Sequence, residues 1–134
     1  MKIPYGKHFI DNEDTKAVLK VLRSDFITQG TVVNKFEKAI TEYVGAKFAL
    51  AVNSGTSALH IACLSLGLTK NDWVWTSPIS FVASSNCALY CGARIDFVDI
   101  DLKTYNMSIK SLENKLVVAK KQKKLPKILI VVHM

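Results

Sequence analysis

The residues with the clearest chemical potential are 53–57, which read Asn-Ser-Gly-Thr-Ser. A hydrophobic run ends there, and an apolar pattern resumes at Ala58. Gly55 has no side chain to block a close approach, and Thr56 and Ser57 supply hydroxyls beside the N–H groups of a helix's first turn. Those N–H groups and the helix dipole favour an anion, typically a phosphate. The segment therefore predicts a site for a phosphate-bearing ligand.

The same small residues are also typical of helix capping, which is an equally good interpretation of Asn53, Ser54 and Thr56. Their spacing matches neither the G-x-G-x-x-G fingerprint nor a Walker loop. Dinucleotides and nucleoside triphosphates are therefore disfavoured as ligands.

Phe81 is the second residue of chemical interest. It lies in TSPISFVASSN, residues 76–86, between a predicted strand and a predicted helix. Ligands of parallel α/β domains bind beyond the carboxyl ends of the strands, so a phenyl ring at this position is suited to stack on a planar ligand. Phenylalanine is more often a core residue, so packing in the core is the alternative.

An alternation of helices and strands must position these residues. Hydrophobic periodicity predicts helices over residues 11–24, 31–45, 54–66, 80–90 and 108–116. It also predicts a buried strand over residues 47–52 and further strands over residues 73–75, 94–98 and 128–132. Such alternation predicts the α/β class, with parallel strands joined by right-handed crossovers. With 134 residues, the chain is expected to form one compact domain.

The net charge of +7 comes mostly from one local run. Seven of the 18 basic residues lie between residues 110 and 127, together with a single acidic residue. Lys120, Lys121, Lys123 and Lys124 have no interleaved aromatic residues for base stacking. A solvated helix end and loop is the favoured interpretation, and a basic nucleic-acid-binding domain is a remote alternative.

Cys63, Cys87 and Cys91 lie in segments with an apolar helical pattern and have no further metal ligands at suitable spacing. This pattern predicts reduced core cysteines of a cytoplasmic protein and no metal site.

The N-terminus lacks the apolar core of a signal peptide, and no window approaches the roughly 18 apolar residues of a membrane span. We therefore expect a soluble protein without membrane partners. Because the chain stops directly after an apolar strand, we also expect a fragment of something longer.

Several segments occur together in a familiar order: NSGTSALH, SPISFVASSN, VDIDLKTYNMS and the terminal VVH, preceded by Tyr5, IDNED and ITQG. In these the chain resembles the N-terminal third of the DegT/DnrJ/StrS sugar aminotransferases, a fold-type I family that depends on pyridoxal 5'-phosphate. PISFVAS and ITQG resemble the branch that serves pseudaminic acid biosynthesis. The resemblance implies part of a large domain with a mostly parallel sheet flanked by helices. It also implies amino transfer, with glutamate as donor, to a UDP-linked 4-keto-6-deoxy amino sugar.

The resemblance further implies roles for individual residues. Gly55, Thr56 and Ser57 would hold the cofactor phosphate, and Phe81 would stack on the pyridine ring. The sugar-nucleotide site, expected to cross a homodimer interface, would use Tyr5, Asp25, Phe26, Ile27, Thr28 and Gly55.

Three polar residues near the end of the chain receive separate interpretations. Thr104 and Asn106 match family positions that we interpret as structural, ordering the turn before Ser108. His133 ends a strand on the same side of the sheet as the pocket. A histidine in this position is more often a hydrogen-bonded core residue than a ligand.

The chemistry of such enzymes needs a lysine that binds the cofactor covalently and moves a proton, and an acidic partner for the pyridine nitrogen. In this family both come after the point where this chain stops, and Lys47 and Lys70 precede strands, at the wrong end of the sheet. We therefore predict no catalytic residue here, a fragment that is inactive alone, and weak or absent cofactor binding. A non-catalytic module that binds a phosphate ligand or pairs with a subunit is the alternative.

Overall fold

The computed structural model describes Pro4 and residues 6–134. Its elements, in chain order, are α1 (Asn12–Leu22), α2 (Thr31–Val44), α3 (Gly55–Ser65), β1 (Trp73–Thr76), α4 (Ala83–Tyr90), β2 (Arg94–Phe97), α5 (Ile109–Lys121) and β3 (Ile128–Ile130). The three strands form one parallel sheet in the order β2-β1-β3. The predicted α/β class with parallel strands is thereby confirmed.

β1 is the central strand, paired with β2 from Trp73↔Arg94 to Thr76↔Phe97 and with β3 from Val74↔Ile128 onward. Successive side chains of a strand point to opposite faces of the sheet. Val74 and Trp75 are both buried, so helices cover both faces at this strand. A strand covered on both faces does not need apolar and polar residues in alternation. The sequence of β1, Trp-Val-Trp-Thr, is accordingly almost entirely apolar.

Each face of β1 has its own hydrophobic core. On one face Val74 packs with residues of α3 and α4, in the cluster Cys63, Leu68, Val74, Cys87, Ala88 and Ala93. On the other face Trp75 packs against α5, in the cluster Trp75, Val98, Met107 and Ala119. The sheet is therefore the middle layer of three.

The chain divides into two compact units, Met1–Ala51 and Val52–Met134. In the first unit, α1 begins with a capping box in which the Asp11 carboxylate accepts from the N–H groups of Glu13 and Asp14. The Asp14 carboxylate in turn accepts from the Asp11 N–H. α2 ends where predicted, because Gly45 adopts the left-handed conformation with φ +68°.

The predicted strand over residues 47–52 is wrong. These residues form no strand, and the side chains of Phe48 and Leu50 are 80% and 72% exposed. A strand is completed by a neighbouring strand, and within the described residues none pairs with this segment. Its Ala51 N–H instead donates to the Glu37 carboxylate at 2.8 Å.

Other boundaries differ from prediction by a few residues. α4 begins at Ala83 rather than near Ser80. α5 continues past Leu116 as far as Lys121, because Ala119 is still buried against Trp75. Among the described residues, no helix combines the length and the apolarity that crossing a membrane requires.

Candidate functional site

The start of α3 is built by its own small residues. Ser54 is the N-cap, with extended backbone, and its Oγ accepts from the N–H of Ser57 at 3.1 Å. The Ser57 hydroxyl donates to Asn53 Oδ1 at 2.7 Å. Capping is therefore confirmed for Ser54. The Asn53 side chain instead accepts from the Ser57 hydroxyl and does not cap the helix.

The cap leaves part of the helix end open. In the described part of the chain, no acceptor meets the N–H groups of Gly55 and Thr56. Gly55 is exposed, and a Cβ added to it would meet no atom within 4 Å. Two unengaged amides at the positive end of a helix, with open space before them, fit the phosphate of a cofactor.

Phe81 lies in the loop between β1 and α4, and its side chain is 76% exposed. The alternative of core packing is therefore wrong for this residue. Its ring borders a cavity of about 200 Å³ at the carboxyl ends of β1 and β2, which Phe97 also lines. Gly55, Thr56 and Ser57 do not line this cavity.

Ser77 is a residue of this cavity that the sequence reasoning missed. It is 2% exposed, and among the described residues its hydroxyl has no hydrogen-bond partner. The neighbouring hydroxyls of Ser80 and Ser84, in contrast, pair with each other at 2.6 Å. The only available signal was the position of Ser77 directly after a buried strand.

The predicted sugar-nucleotide loop lies in the first unit, between α1 and α2. Phe26 and Ile27 are 70% and 67% exposed and line a cavity of about 340 Å³, whereas Asp25 and Thr28 do not line it. The loop closes tightly, because a Cβ on Gly30 would lie 2.8 Å from the Phe26 carbonyl oxygen. Tyr5 lies outside the described residues.

The turn before α5 is held by Asp101. Its carboxylate accepts from the N–H groups of Thr104 and Lys103 and from the Thr104 hydroxyl, and these bonds hold the pKa of Asp101 below its ordinary value. Asn106 accepts from the Met134 N–H at 2.8 Å. The prediction that Thr104 orders the turn is thereby confirmed, whereas the Asn106 side chain binds the backbone after β3 rather than the turn itself.

His133 is exposed and lines a cavity of about 520 Å³ beside Asn106 and Ser108. The core interpretation of this histidine is therefore wrong. It follows β3 at the carboxyl edge of the sheet, as the sequence predicted.

The cysteines and the lysine run lie as expected. Cys63 and Cys87 are buried free thiols and Cys91 is half-buried; burial, with the neighbouring Cys87, raises the pKa of Cys63 to about 11. Within the part of the chain that the structure describes, no cluster of histidine, cysteine or acidic residues is arranged to hold a metal ion.

Exposed Lys120 and Lys121 occupy the last turn of α5, the predicted solvated helix end.

Comparison with known proteins decides the family. The sequence profile of the DegT/DnrJ/EryC1/StrS aminotransferase family matches residues 8–134. The chain belongs to this family.

Relatives within the family agree in sequence and in fold. A UDP-4-amino-4,6-dideoxy-N-acetyl-beta-L-altrosamine transaminase of Campylobacter jejuni subsp. jejuni serotype O:23/36 (strain 81-176) is 43% identical over 115 residues, which are 86% of this chain and 30% of that protein. Helicobacter pylori PseC, an aminotransferase involved in the biosynthesis of pseudoaminic acid, superposes with a TM-score of 0.81 at 33% identity, over 98% of this chain and 34% of that one.

A third relative shows the cofactor and an amino acid together. GDP-4-keto-6-deoxymannose-3-dehydratase, with a trapped PLP-glutamate geminal diamine, has a TM-score of 0.77 at 29% identity, over 84% of this chain and 31% of that one. The chain thus spans about a third of the length of these relatives. The fold is that of the pyridoxal-phosphate-dependent aminotransferases of this family.

Proposed function

We propose that this chain is the N-terminal part, over residues 1–134, of the large domain of an enzyme that transfers an amino group from glutamate to a nucleotide-linked keto sugar. Pyridoxal 5'-phosphate is the proposed cofactor. The family match over residues 8–134 supports the reaction class. The observation that carries the proposal is that no described residue accepts from the N–H groups of Gly55 and Thr56, in the segment where the family resemblance expects a phosphate.

In the proposed site, the Gly55 and Thr56 amides donate to phosphate oxygens, and the α3 dipole adds to the attraction. The hydroxyl of Thr56 extends the same set of donors. Because the Ser57 N–H is already engaged by Ser54, Ser57 contributes through the geometry of the cap rather than through its amide. The cap therefore keeps the two open amides in place.

Phe81 offers its exposed ring as the stacking surface for the pyridine ring. When bound, pyridoxal phosphate supplies an electron sink for bonds that break at the amino carbon. Stacking on Phe81 would fix the plane of that ring and exclude water from one side of it. Removal of this ring is therefore expected to reduce affinity and not to abolish the phosphate contact.

For the substrate, we propose a UDP-linked 4-keto-6-deoxy amino sugar of pseudaminic acid biosynthesis, bound by Tyr5, Gly55 and residues 25–28 across a homodimer interface. The 43% identity to the C. jejuni transaminase supports this substrate. The exposed apolar side chains of Phe26 and Ile27 give the loop a surface for a ligand or a partner subunit. A cytoplasmic location stays a prediction.

We further propose that the 134-residue chain does not catalyse transamination alone, because none of its lysines falls in a family motif for covalent cofactor binding. Without that covalent bond, the cofactor would be held only by the phosphate contacts and by stacking. Weak, phosphate-dependent binding is the expected behaviour of the isolated chain.

Titration of the purified chain with pyridoxal 5'-phosphate, followed by its visible absorption, tests this proposal. Pyridoxal, which lacks the phosphate, is the matched control. We expect a saturable change with the phosphorylated compound alone, and no borohydride-stable adduct at a single lysine by mass spectrometry. Equal binding of both compounds would contradict the phosphate site. An adduct at one defined lysine, or amino transfer from glutamate by this chain, would contradict the predicted inactivity.

A further inference from the structure

The phenyl ring of Phe81 receives little support from packing. Phe81 is 76% exposed and lies in the loop between β1 and α4. An exposed side chain can exchange between rotamers, and the rotamers open to it depend on the φ and ψ angles of its own backbone. The orientation of this ring is therefore controlled mainly through the backbone of residue 81.

That backbone is held at its carbonyl by two donors. The Ser84 N–H donates to the Phe81 carbonyl at 3.0 Å, and the Ser80 hydroxyl donates to it at 3.1 Å. A carbonyl oxygen has two lone pairs, so these two bonds use its accepting capacity. The peptide group that follows Phe81 is thus fixed by one residue before it and one after it in the chain.

The two serines are also bonded to each other. Their hydroxyl oxygens lie 2.6 Å apart, and Ser84 is buried. A hydroxyl has one proton, so Ser80, which donates to the Phe81 carbonyl, accepts from Ser84. The result is a cyclic network of three hydrogen bonds, which we name the serine clamp, and bonds in such a network strengthen one another.

The serine clamp differs from ordinary helix capping. A capping serine accepts from backbone N–H groups, whereas the Ser80 hydroxyl donates to a carbonyl. The N-cap of α4 is Val82, and no described side chain caps it. Ser85, in the same turn, donates its hydroxyl to the Val82 carbonyl at 3.0 Å and so satisfies an acceptor without bonding to Phe81.

We propose that Ser80 is a positioning residue for Phe81. Together with Ser84 it fixes the backbone from which the phenyl ring projects, and thereby the plane that the ring offers for stacking. This inference rests on the proposed function, in which Phe81 stacks on the pyridine ring of the cofactor. A ring held in its binding orientation loses less freedom when the ligand arrives, so the serine clamp raises affinity without touching the cofactor.

The orientation of the ring can be measured without any cofactor. Three-bond NMR couplings from Cγ to the backbone nitrogen and carbonyl carbon give the χ1 rotamer populations of Phe81, and hydrogen exchange gives the protection of the Ser84 N–H. We expect one dominant rotamer in the unmodified chain and a mixture in Ser80→Ala. The Ser84 N–H of this variant should exchange about fivefold faster or more, because the network has lost one bond.

Two further variants separate positioning from the general stability of α4. Ser80→Thr retains the hydroxyl and should restore both the rotamer and the protection of the Ser84 N–H. Ser85→Ala is the matched control, because it removes a bond from a serine hydroxyl to a carbonyl in the same turn without altering the serine clamp. It should leave the rotamer populations of Phe81 as they are in the unmodified chain.

Binding of pyridoxal 5'-phosphate then measures what the orientation contributes to stacking. Ser80→Ala should bind about threefold to tenfold more weakly in absorption titrations, the range expected of an aromatic pair. The circular dichroism induced in the bound cofactor should also fall, since it depends on how the two rings are oriented. Combining Ser84→Ala with Ser80→Ala should add little to the loss, because both changes break the same network.

The positioning role is overturned if Ser80→Ala leaves the rotamers of Phe81 or the cofactor affinity unchanged, or if Ser85→Ala has effects of equal size. Failure of the proposed phosphate site gives a different result. Inorganic phosphate would then leave the amide resonances of Gly55 and Thr56 unshifted in every variant, while the rotamer of Phe81 would still depend on Ser80. That combination would support the serine clamp and reject the cofactor site at α3.

Discussion

At the scale of single residues, the amide of Gly55 can be removed without disturbing its helix. Gly55 is the first residue of α3, where proline is tolerated, and Ser54 before it has φ −161° and ψ 157°, the extended backbone that precedes proline. We expect Gly55→Pro to fold normally and to bind pyridoxal 5'-phosphate about tenfold or more weakly, because one charge-assisted donor is lost. Absorption titration measures the affinity, and circular dichroism checks the fold.

Gly55→Ala is the matched control for this change, since it adds a Cβ at the same position and retains the N–H. A Cβ there has open space, so alanine should leave stability unchanged or raise it by about 0.5–1 kcal/mol. If the proline and alanine variants bind the cofactor equally, the Gly55 amide is not a phosphate ligand.

Gly30, unlike Gly55, has no room for a side chain. A Cβ on this residue would lie 2.8 Å from the Phe26 carbonyl oxygen, a backbone atom that cannot rotate away. We expect Gly30→Ala to lower the free energy of unfolding by about 1–3 kcal/mol, the usual cost of overpacking. Urea denaturation followed by circular dichroism measures it. Gly6→Ala, with nothing within 4 Å, is the control and should be nearly neutral; an equal loss in both would contradict the steric argument.

At the scale of elements, the N-cap of α3 can be tested through Ser54. Replacement by alanine removes the acceptor of the Ser57 N–H and should destabilise the chain by about 1 kcal/mol. Ser65→Ala is the control, because the Ser65 hydroxyl only donates to the Ala62 carbonyl of the same helix. Thermal denaturation of both variants compares the two effects. Equal midpoints would show that the cap does not stabilise α3.

The contact between β2 and α5 should be sensitive to acid. Burial raises the pKa of Asp96, but hydrogen bonds from Lys115 and from the Phe97 N–H outweigh it, so the pKa lies below its ordinary value of 3.8. A depressed folded-state pKa contributes stability that is present above about pH 4 and is lost as the pH falls through the folded value. The side chains of Lys115 and Asp96 are 25% and 47% exposed, so solvent screens this ion pair and limits its contribution to stability.

Asp96→Asn should therefore reduce the acid dependence of stability, measured as the free energy of unfolding between pH 7 and pH 3. The variant is expected to be less stable than the unmodified chain at pH 7, and the difference should shrink as the pH falls below about 4. Glu113→Gln, at an exposed carboxylate of α5, should leave the profile unchanged. A constant difference between Asp96→Asn and the unmodified chain at every pH would contradict the linkage.

The sequence predicted these elements well where the information is local. Gly45 after an amphipathic run predicted the end of α2, and the alternation of short apolar runs with helical patterns predicted the strand at Trp73. Residues 47–52 are mostly apolar, as β1 is, yet strand pairing depends on a distant strand that the local pattern does not reveal. The exposure of Phe81 is likewise a tertiary property, and so is the lack of a partner for the Ser77 hydroxyl among the described residues.

At the scale of the whole molecule, the exposed apolar surface favours association in solution. Phe48 and Leu50 are 80% and 72% exposed in a segment without strand pairing among the described residues. An exposed apolar segment of this kind favours association with another chain. We therefore expect the purified chain to self-associate as its concentration rises, measured by light scattering coupled to size-exclusion chromatography.

Phe48→Ser combined with Leu50→Ser should shift this equilibrium toward the monomer while leaving helix content unchanged, because neither side chain is buried in the chain. Leu102→Ser is the matched control: its side chain is 81% exposed, yet it lies in the turn before α5. If the control reduces association as much as the double variant does, exposed area in general drives association, and residues 47–52 are not its specific template. If neither variant changes the apparent mass, association proceeds through other surfaces or does not occur.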